Sequence, residues 1–294
     1  MAVFATNRER FTPIQNRRYL ALGLFYVVCV LLSVFFLFPM LWSILTSLKP
    51  AAEASAVPPT FLPSRIALEN YTSLNKVGSG IMTYSTNSVL VTTFTIVGTL
   101  LLSTLGGYGF ARFIFPGKNA LFILVLAPLM IPFQAIMIPL FLVLQRLSLN
   151  NTLLGLAFIY ITFQLPFATF VMRNVFANVP REIEEAALLD GCNSISLLWR
   201  VMIPIVLPGL ITVGLFAFFS SWNELFAALI YLSDPDKFTL PLLLATARTN
   251  PGLFGGTNWG GLQAGVVVTM LPSLIIFILL QRYYVSGLSS GAVK

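Results

Sequence analysis

Histidine is absent from the 294-residue chain, and charge is scarce. Without an imidazole there is no His general base, no Ser-His-Asp triad and no His-ligated zinc or haem. Only 9% of the residues are Asp, Glu, Lys or Arg, against roughly 25% in an ordinary soluble domain. That shortage excludes a soluble globular enzyme, a disordered chain and a nucleic-acid binder built on dense Lys and Arg. No G-x-x-x-x-G-K-[ST] loop occurs; Pro116-Gly117-Lys118-Asn119 is a turn with a lysine. The chain therefore has no such cradle for ATP phosphates and no catalytic or metal set. Its two cysteines, Cys29 and Cys192, lie in unlike segments, and no disulfide is expected.

What the chain does have is apolar length. Hydrophobic residues make up 57% of it. A bilayer core takes roughly 20 apolar residues per helix. The charge-poor stretches predict six spans, at about 20–46, 85–111, 119–144, 152–172, 206–232 and 262–281. Long Leu, Val, Ile and Phe runs without strict alternation argue against a barrel, so the fold class is an all-α polytopic membrane protein. The first run is too long for a signal-peptide core and no small-residue cleavage site follows it, so span one is expected to persist. Residues 1–18 and 282–294 flank this 19–281 membrane domain. Alternate connecting segments carry eleven and six Lys and Arg. The richer side holds both termini and 178–204, and it should be cytoplasmic.

Pro39, Pro128, Pro132, Pro139, Pro166, Pro208 and Pro272 fall within spans, where each removes a backbone donor and favours a kink. Glu224 is the only charge inside a span and is a default functional candidate. It lies 18 residues beyond Val206, a rise of roughly 27 Å, near the outer edge of the core. A structural hydrogen-bonded pair and a place on a solute path both remain open for it. Ser220, Asn223 and Ala227 are expected on its helical face. Asn87, Gln134 and Gln164 are polar residues in other spans. Any of these suits a sugar path by type, and any suits a helix–helix hydrogen bond.

The connecting loop reads Asn178-Val-Pro-Arg-Glu-Ile-Glu-Glu-Ala-Ala-Leu-Leu-Asp-Gly191 and continues to Pro204. Asn178 is expected to cap a helix with Pro180 in its first turn, and Gly191 to stop that helix in a left-handed turn. Asn193 or Ser194 caps a second short helix, ended by Pro204. Leu188, Leu189, Ile195 and Trp199 need a partner surface. On the residues alone, a helix resting on lipid and a helix docked on another protein both satisfy this pattern.

The residue order adds to that reading. Glu185-Ala186-Ala187, Gly191 six residues after Glu185, then Val201, Ile203 and Pro204, resemble the EAA loop of ABC importer permeases. Cys192 stands where a small residue, often alanine, is usual, and Val201 where isoleucine is usual. Asn151-Thr152, Pro166-Phe167, Arg173-Asn174, Pro180, Ser221-Trp222-Asn223-Glu224 and the ending Gly287 to Lys294 look like carbohydrate-uptake permeases of the maltose type. The likeness is to the shorter, second permease of a heteromeric pair, from about residue 20 to the end.

This resemblance implies a type I importer permease in the cytoplasmic membrane, working by alternating access. Glu185, Ala186, Ala187, Asp190, Gly191 and Pro204 would belong to a coupling helix seated in an ATPase groove, with Ala187 facing that groove. The implied partners are a homologous second permease, two ATPase subunits that bind ATP and Mg, an extracytoplasmic solute-binding protein and membrane lipid. No cofactor is expected in this chain. Asn258 and Trp259 in the last outer loop would meet the solute or its binding protein, and the C-terminal tail would reach the ATPase. Sugars, oligosaccharides, uronates and glycerol phosphate all remain open as solutes. The alternative is an ion-coupled secondary transporter.

Overall fold

The structure, a computed structural model, describes residues 13–249 and 258–289. Residues 1–12 and 250–257 and the tail residues 290–294 lie outside the described residues. All regular structure among the described residues is helical. Helix α1 (Pro13–Ser47) is followed by one-turn helices α2 (Ala51–Ala54) and α3 (Glu69–Ser73), then α4 (Ile81–Arg112), α5 (Lys118–Leu126), α6 (Phe133–Arg146) and α7 (Leu153–Ala177). Next come α8 (Arg181–Leu189), the short α9 (Ser194–Ser196), α10 (Ile203–Trp222), α11 (Phe226–Tyr231), α12 (Leu240–Thr249) and α13 (Trp259–Ser289). Among the described residues, five stretches are long and apolar enough to cross a bilayer: Tyr19–Ser47, Ile81–Arg112, Leu153–Ala177, Ser194–Trp222 and Trp259–Gln281.

The sixth, expected at 119–144 as one helix, is broken. Residues Lys118–Met130 and Phe133–Arg146 meet at 106°. Pro132 supplies the reason. A proline pushes the residue before it out of the helical region, and Ile131 is extended at φ −96°, ψ 124°. Pro39, Pro139, Pro166, Pro208 and Pro272 sit inside continuous helices. The span expected at 206–232 is also interrupted, after Trp222. The last span starts at Trp259 rather than near 262, and its helix runs on to Ser289 instead of ending at 281.

Helices α4 and α7 form the centre of the bundle, with α10 against both. The buried face of α4 is Ser88, Thr92, Thr95, Thr99, Ser103 and Gly107, a stripe of small residues at helical spacing. Lipid is as apolar as leucine, so membrane helices associate where small residues let backbones approach. Gly107 shows how close: a Cβ there would lie 2.5 Å from the Met172 Cβ and 2.9 Å from the Arg173 backbone nitrogen. Helix α1 leans on α13, and its most apolar stretch buries no residue.

The connections at the end opposite α8 are held by side chains. Asn70 donates to the carbonyls of Ser47 and Lys49, 2.8 Å each, and so satisfies the open C-terminal end of α1. The Lys49 ammonium reaches the Thr60 carbonyl and lies 4.5 Å over the Trp42 ring. Hydrogen bonds from the Ser64 hydroxyl and backbone, then from Thr60, hold the Glu53 carboxyl below the usual carboxylate range. Asn87 donates to the carbonyls of Asp236 and Phe238. It therefore fastens α4 to the 234–239 connection and is spent there as a donor.

Candidate functional site

The segment between α7 and α10 is built from local rules. Asn178 closes α7 as its C-cap, and Pro180 holds the N-cap position of α8, so the expected Asn178 cap is displaced by two residues. Glu182 and Glu184 lie in the first turn of α8, where the positive end of the helix dipole favours carboxylates. The helix ends in a Schellman motif. The Gly191 N–H donates to the Leu188 carbonyl (3.1 Å) and the Cys192 N–H to the Ala187 carbonyl (3.0 Å). Gly191 sits at φ +85°, a conformation glycine takes without steric cost. The Asn193 side chain then accepts from the Ser196 N–H at 2.8 Å and caps α9.

Pro204 does not end this second helix. Residues Leu197–Met202 form a π-helical turn that leads directly into α10, and Pro204 lies in the first turn of α10. A proline is tolerated at that position because no intrahelical partner is lost. The segment after Asn193 and the long α10 are thus one continuous element from Ser194 to Trp222.

Helix α8 has two unlike faces. Glu182, Glu185, Ala186, Leu188, Leu189 and Asp190 are exposed, Leu189 at 89%. Ala187 is turned the other way. It is 8% exposed, in a cluster with Tyr108, Met172, Phe176, Leu197 and Met202. The expectation that Ala187 faces an external groove is therefore corrected. A one-residue step along a helix rotates a side chain by about 100°, so Ala186 and Ala187 occupy different faces. Glu184 also points inward and ion-pairs with Arg112 at the end of α4. The same guanidinium donates to the Val179 carbonyl at 2.7 Å. Sequence reasoning missed this pair; the one available signal was that the charge rule puts both residues on the same side of the membrane.

The interior polar residues form a second group. Glu224 lies in the break between α10 and α11. Its carboxylate accepts from the backbone N–H of Ala227 at 3.0 Å and of Ala228 at 3.4 Å, and from the Tyr160 hydroxyl at 2.8 Å. It thus satisfies the first turn of α11. The expected shared helical face of Ser220, Asn223 and Ala227 is not there, because α10 stops at Trp222 and Ala227 is fully buried in a separate cluster. Gln164 on α7 hydrogen-bonds Ser220 on α10. Asn223 is exposed and donates to the Phe219 carbonyl at 2.9 Å. Gln134 is exposed in the first turn of α6, and its neighbour Phe133 meets Phe163 edge-on at 4.2 Å. Phe167 and Phe216 pack similarly at 5.0 Å. Gln164 follows Phe163 in α7, and Ser220 lies one turn beyond Phe216 in α10.

Outside these groups, Asn258 caps α13 by accepting from the Gly261 N–H at 3.0 Å, and Trp259 begins that helix, 42% exposed. A cleft of about 580 Å³ opens between α4, α10 and α13, but its lining is apolar and includes none of the candidate path residues. Cys29 and Cys192 are both free.

A bundle of long apolar helices with one two-faced connecting helix is the architecture of an integral membrane protein. More particularly, the chain belongs to the family described as binding-protein-dependent transport system inner membrane component, matched over residues 103–290. It is 36% identical to an arabinooligosaccharide transport system permease of Halalkalibacterium halodurans, over 87% of this chain and 91% of that one. A diacetylchitobiose uptake permease of Streptomyces coelicolor is 33% identical over 91% and 95% of the two chains. A bacterial transporter that imports the acidic polysaccharide alginate shares the fold, with a TM-score of 0.77 at 23% identity over 94% of this chain and 99% of that one. Members of this kind are permeases, not enzymes.

Proposed function

We propose that this chain is one permease subunit of an ATP-driven importer that moves a carbohydrate across the cytoplasmic membrane by alternating access. The relatives named above handle arabinooligosaccharides and diacetylchitobiose, which favours an oligosaccharide. A second, homologous permease completes the path. Two ATPase subunits bind ATP and Mg and hydrolyse the nucleotide. An extracytoplasmic binding protein delivers the solute.

The two faces of α8 carry the reading. Glu185, Ala186 and Leu189 are exposed on a helix whose other face packs on the 197–202 turn and, through Ala187 and Glu184, reaches side chains of α4 and α7. A helix that rested on lipid would turn its apolar side outward and its acids to water. Here acids and leucines share the open side, a mixture suited to a protein groove with a polar rim. The Lys and Arg split puts this surface in the cytoplasm, where ATP is. On the solute side, Gln164 and Ser220, on the helices that carry Phe163, Phe167 and Phe216, and Asn223 offer amide and hydroxyl groups, which with aromatic faces are the combination a sugar needs.

The ion-coupled alternative loses its best support. Its coupling site would use buried acids or broken helices near the midplane, and Glu224, the acid expected within a span, is occupied by two backbone N–H groups and Tyr160. The test is purification of the tagged permease from its native host. Co-purification of an ATPase, whose hydrolysis rises with one member of a sugar panel in the presence of the binding protein, is expected. A permease that purifies without any ATPase would overturn the proposal.

A further inference from the structure

We propose that Arg112 and Glu184 form a strut that makes α8 and the ends of α4 and α7 one moving body, and that they are positioning residues for coupling. This rests on the reading of α8 as the coupling helix.

The geometry is specific. Arg112 is the last residue of α4, and its side chain is only 8% exposed; that of Glu184 is 13% exposed. One part of the guanidinium faces the Glu184 carboxylate, and Nη2 donates to the Val179 carbonyl at 2.7 Å. One side chain of α4 therefore holds both α8 and the strand of backbone that leads into it. The hydrogen bond to Val179 fixes direction, and the buried ion pair to Glu184 adds attraction between the two helices. The apolar contacts of Ala187 on the same face are non-directional, and by themselves they let the helix slide. Glu182 and Glu185 are exposed instead. The three acids thus divide, with one gripping the membrane domain and two left on the open surface. Beyond Arg112, the close approach of α4 to α7 at Gly107 passes any displacement into the centre of the bundle.

A buried ion pair can be replaced by apolar residues of similar size without loss of stability, while removal of one partner alone strands a charge. The double variant Arg112→Met with Glu184→Leu therefore keeps the fold and removes the directional tie. The experiment uses the complete complex, with ATPases and binding protein, in proteoliposomes. It measures permease level, ATPase retained on the permease, and solute imported per ATP hydrolysed. The strut predicts normal level and ATPase retention, with the solute-to-ATP ratio lowered about tenfold, within the usual range of coupling between sites. A purely structural role predicts an unchanged ratio, and a ratio within twofold of the parent would overturn the proposal. Arg112→Lys is the second variant. It keeps the charge but lacks the planar group and full reach that bridge Glu184 and Val179, so its ratio should fall by less than that of the double variant. A Lys variant with full coupling would also overturn the strut. A parent complex that hydrolyses no ATP would refute the reading of α8 itself, a result distinct from either.

Discussion

Ala186 and Ala187 are chemically identical neighbours, so placing one large side chain at each position separates the two faces of α8. Ala187 is 8% exposed against Met172, Phe176 and Met202. Ala187→Trp would force an indole into a packed contact, which costs roughly 1–3 kcal/mol or more. Each 1.4 kcal/mol is about tenfold in an equilibrium, so the seating of α8 on the membrane domain weakens by roughly five- to 150-fold. The permease itself should melt at a lower temperature in detergent, without any partner present. Ala186 is exposed, and Ala186→Trp should leave that melting temperature unchanged. In the complex the order reverses: the indole at 186 meets the ATPase, and pull-down should show at least a tenfold loss of retained ATPase for a 1.4 kcal/mol clash. Equal melting temperatures for the parent and Ala187→Trp would refute the inward placement. Full ATPase retention with Ala186→Trp would refute docking by the open face.

Three further outcomes are expected. Gly191→Ala should cost about 1–2 kcal/mol, because φ of +85° burdens an L side chain even though no neighbour lies within 4 Å of the added Cβ; differential scanning of the purified protein checks this, and an unchanged transition would argue against the left-handed stop. Glu224→Gln keeps one acceptor oxygen, enough for two of the three donors from Ala227, Ala228 and Tyr160, and should lose less stability than Glu224→Ala, which also leaves the buried Tyr160 hydroxyl unpaired at a cost of about 1–3 kcal/mol; similar thermal stability of the two variants would contradict the capping role. Gly107→Ala should lower stability by roughly 1–3 kcal/mol, since its Cβ would sit 2.5 Å from that of Met172, and a neutral result in thermal unfolding would show that α4 and α7 separate freely.

Much of the helical plan was legible because the bilayer imposes a length and excludes charge. The stretch at 85–111 shows this, lying within α4 at Ile81–Arg112. The breaks were harder to place. Seven prolines fall in the expected spans, yet Pro39, Pro139, Pro166, Pro208 and Pro272 are absorbed in continuous helices, and hydropathy does not register the 106° bend at Pro132. Glu224 was visible as a lone charge. Its partners were not, because Tyr160 lies 64 positions away and the other donors are backbone. The Gly191 stop could be read from local turn chemistry. The inward turn of Ala187 and the Arg112–Glu184 pair depend on how α8 packs on α4 and α7, which no local pattern encodes. Pro204 misled because a π turn ahead of it creates a new first turn that accepts proline.

The central claim is that ATP hydrolysis, not an ion gradient, drives a carbohydrate through this permease. It is tested most directly by reconstituting the purified complex in vesicles with its binding protein outside, ATP inside, and a labelled oligosaccharide selected from the ATPase panel. Accumulation that requires ATP, survives collapse of proton and sodium gradients, and yields about tenfold less solute per ATP in the double variant Arg112→Met with Glu184→Leu is the expected result. Uptake that proceeds without ATP and stops when the ion gradients are collapsed would contradict it.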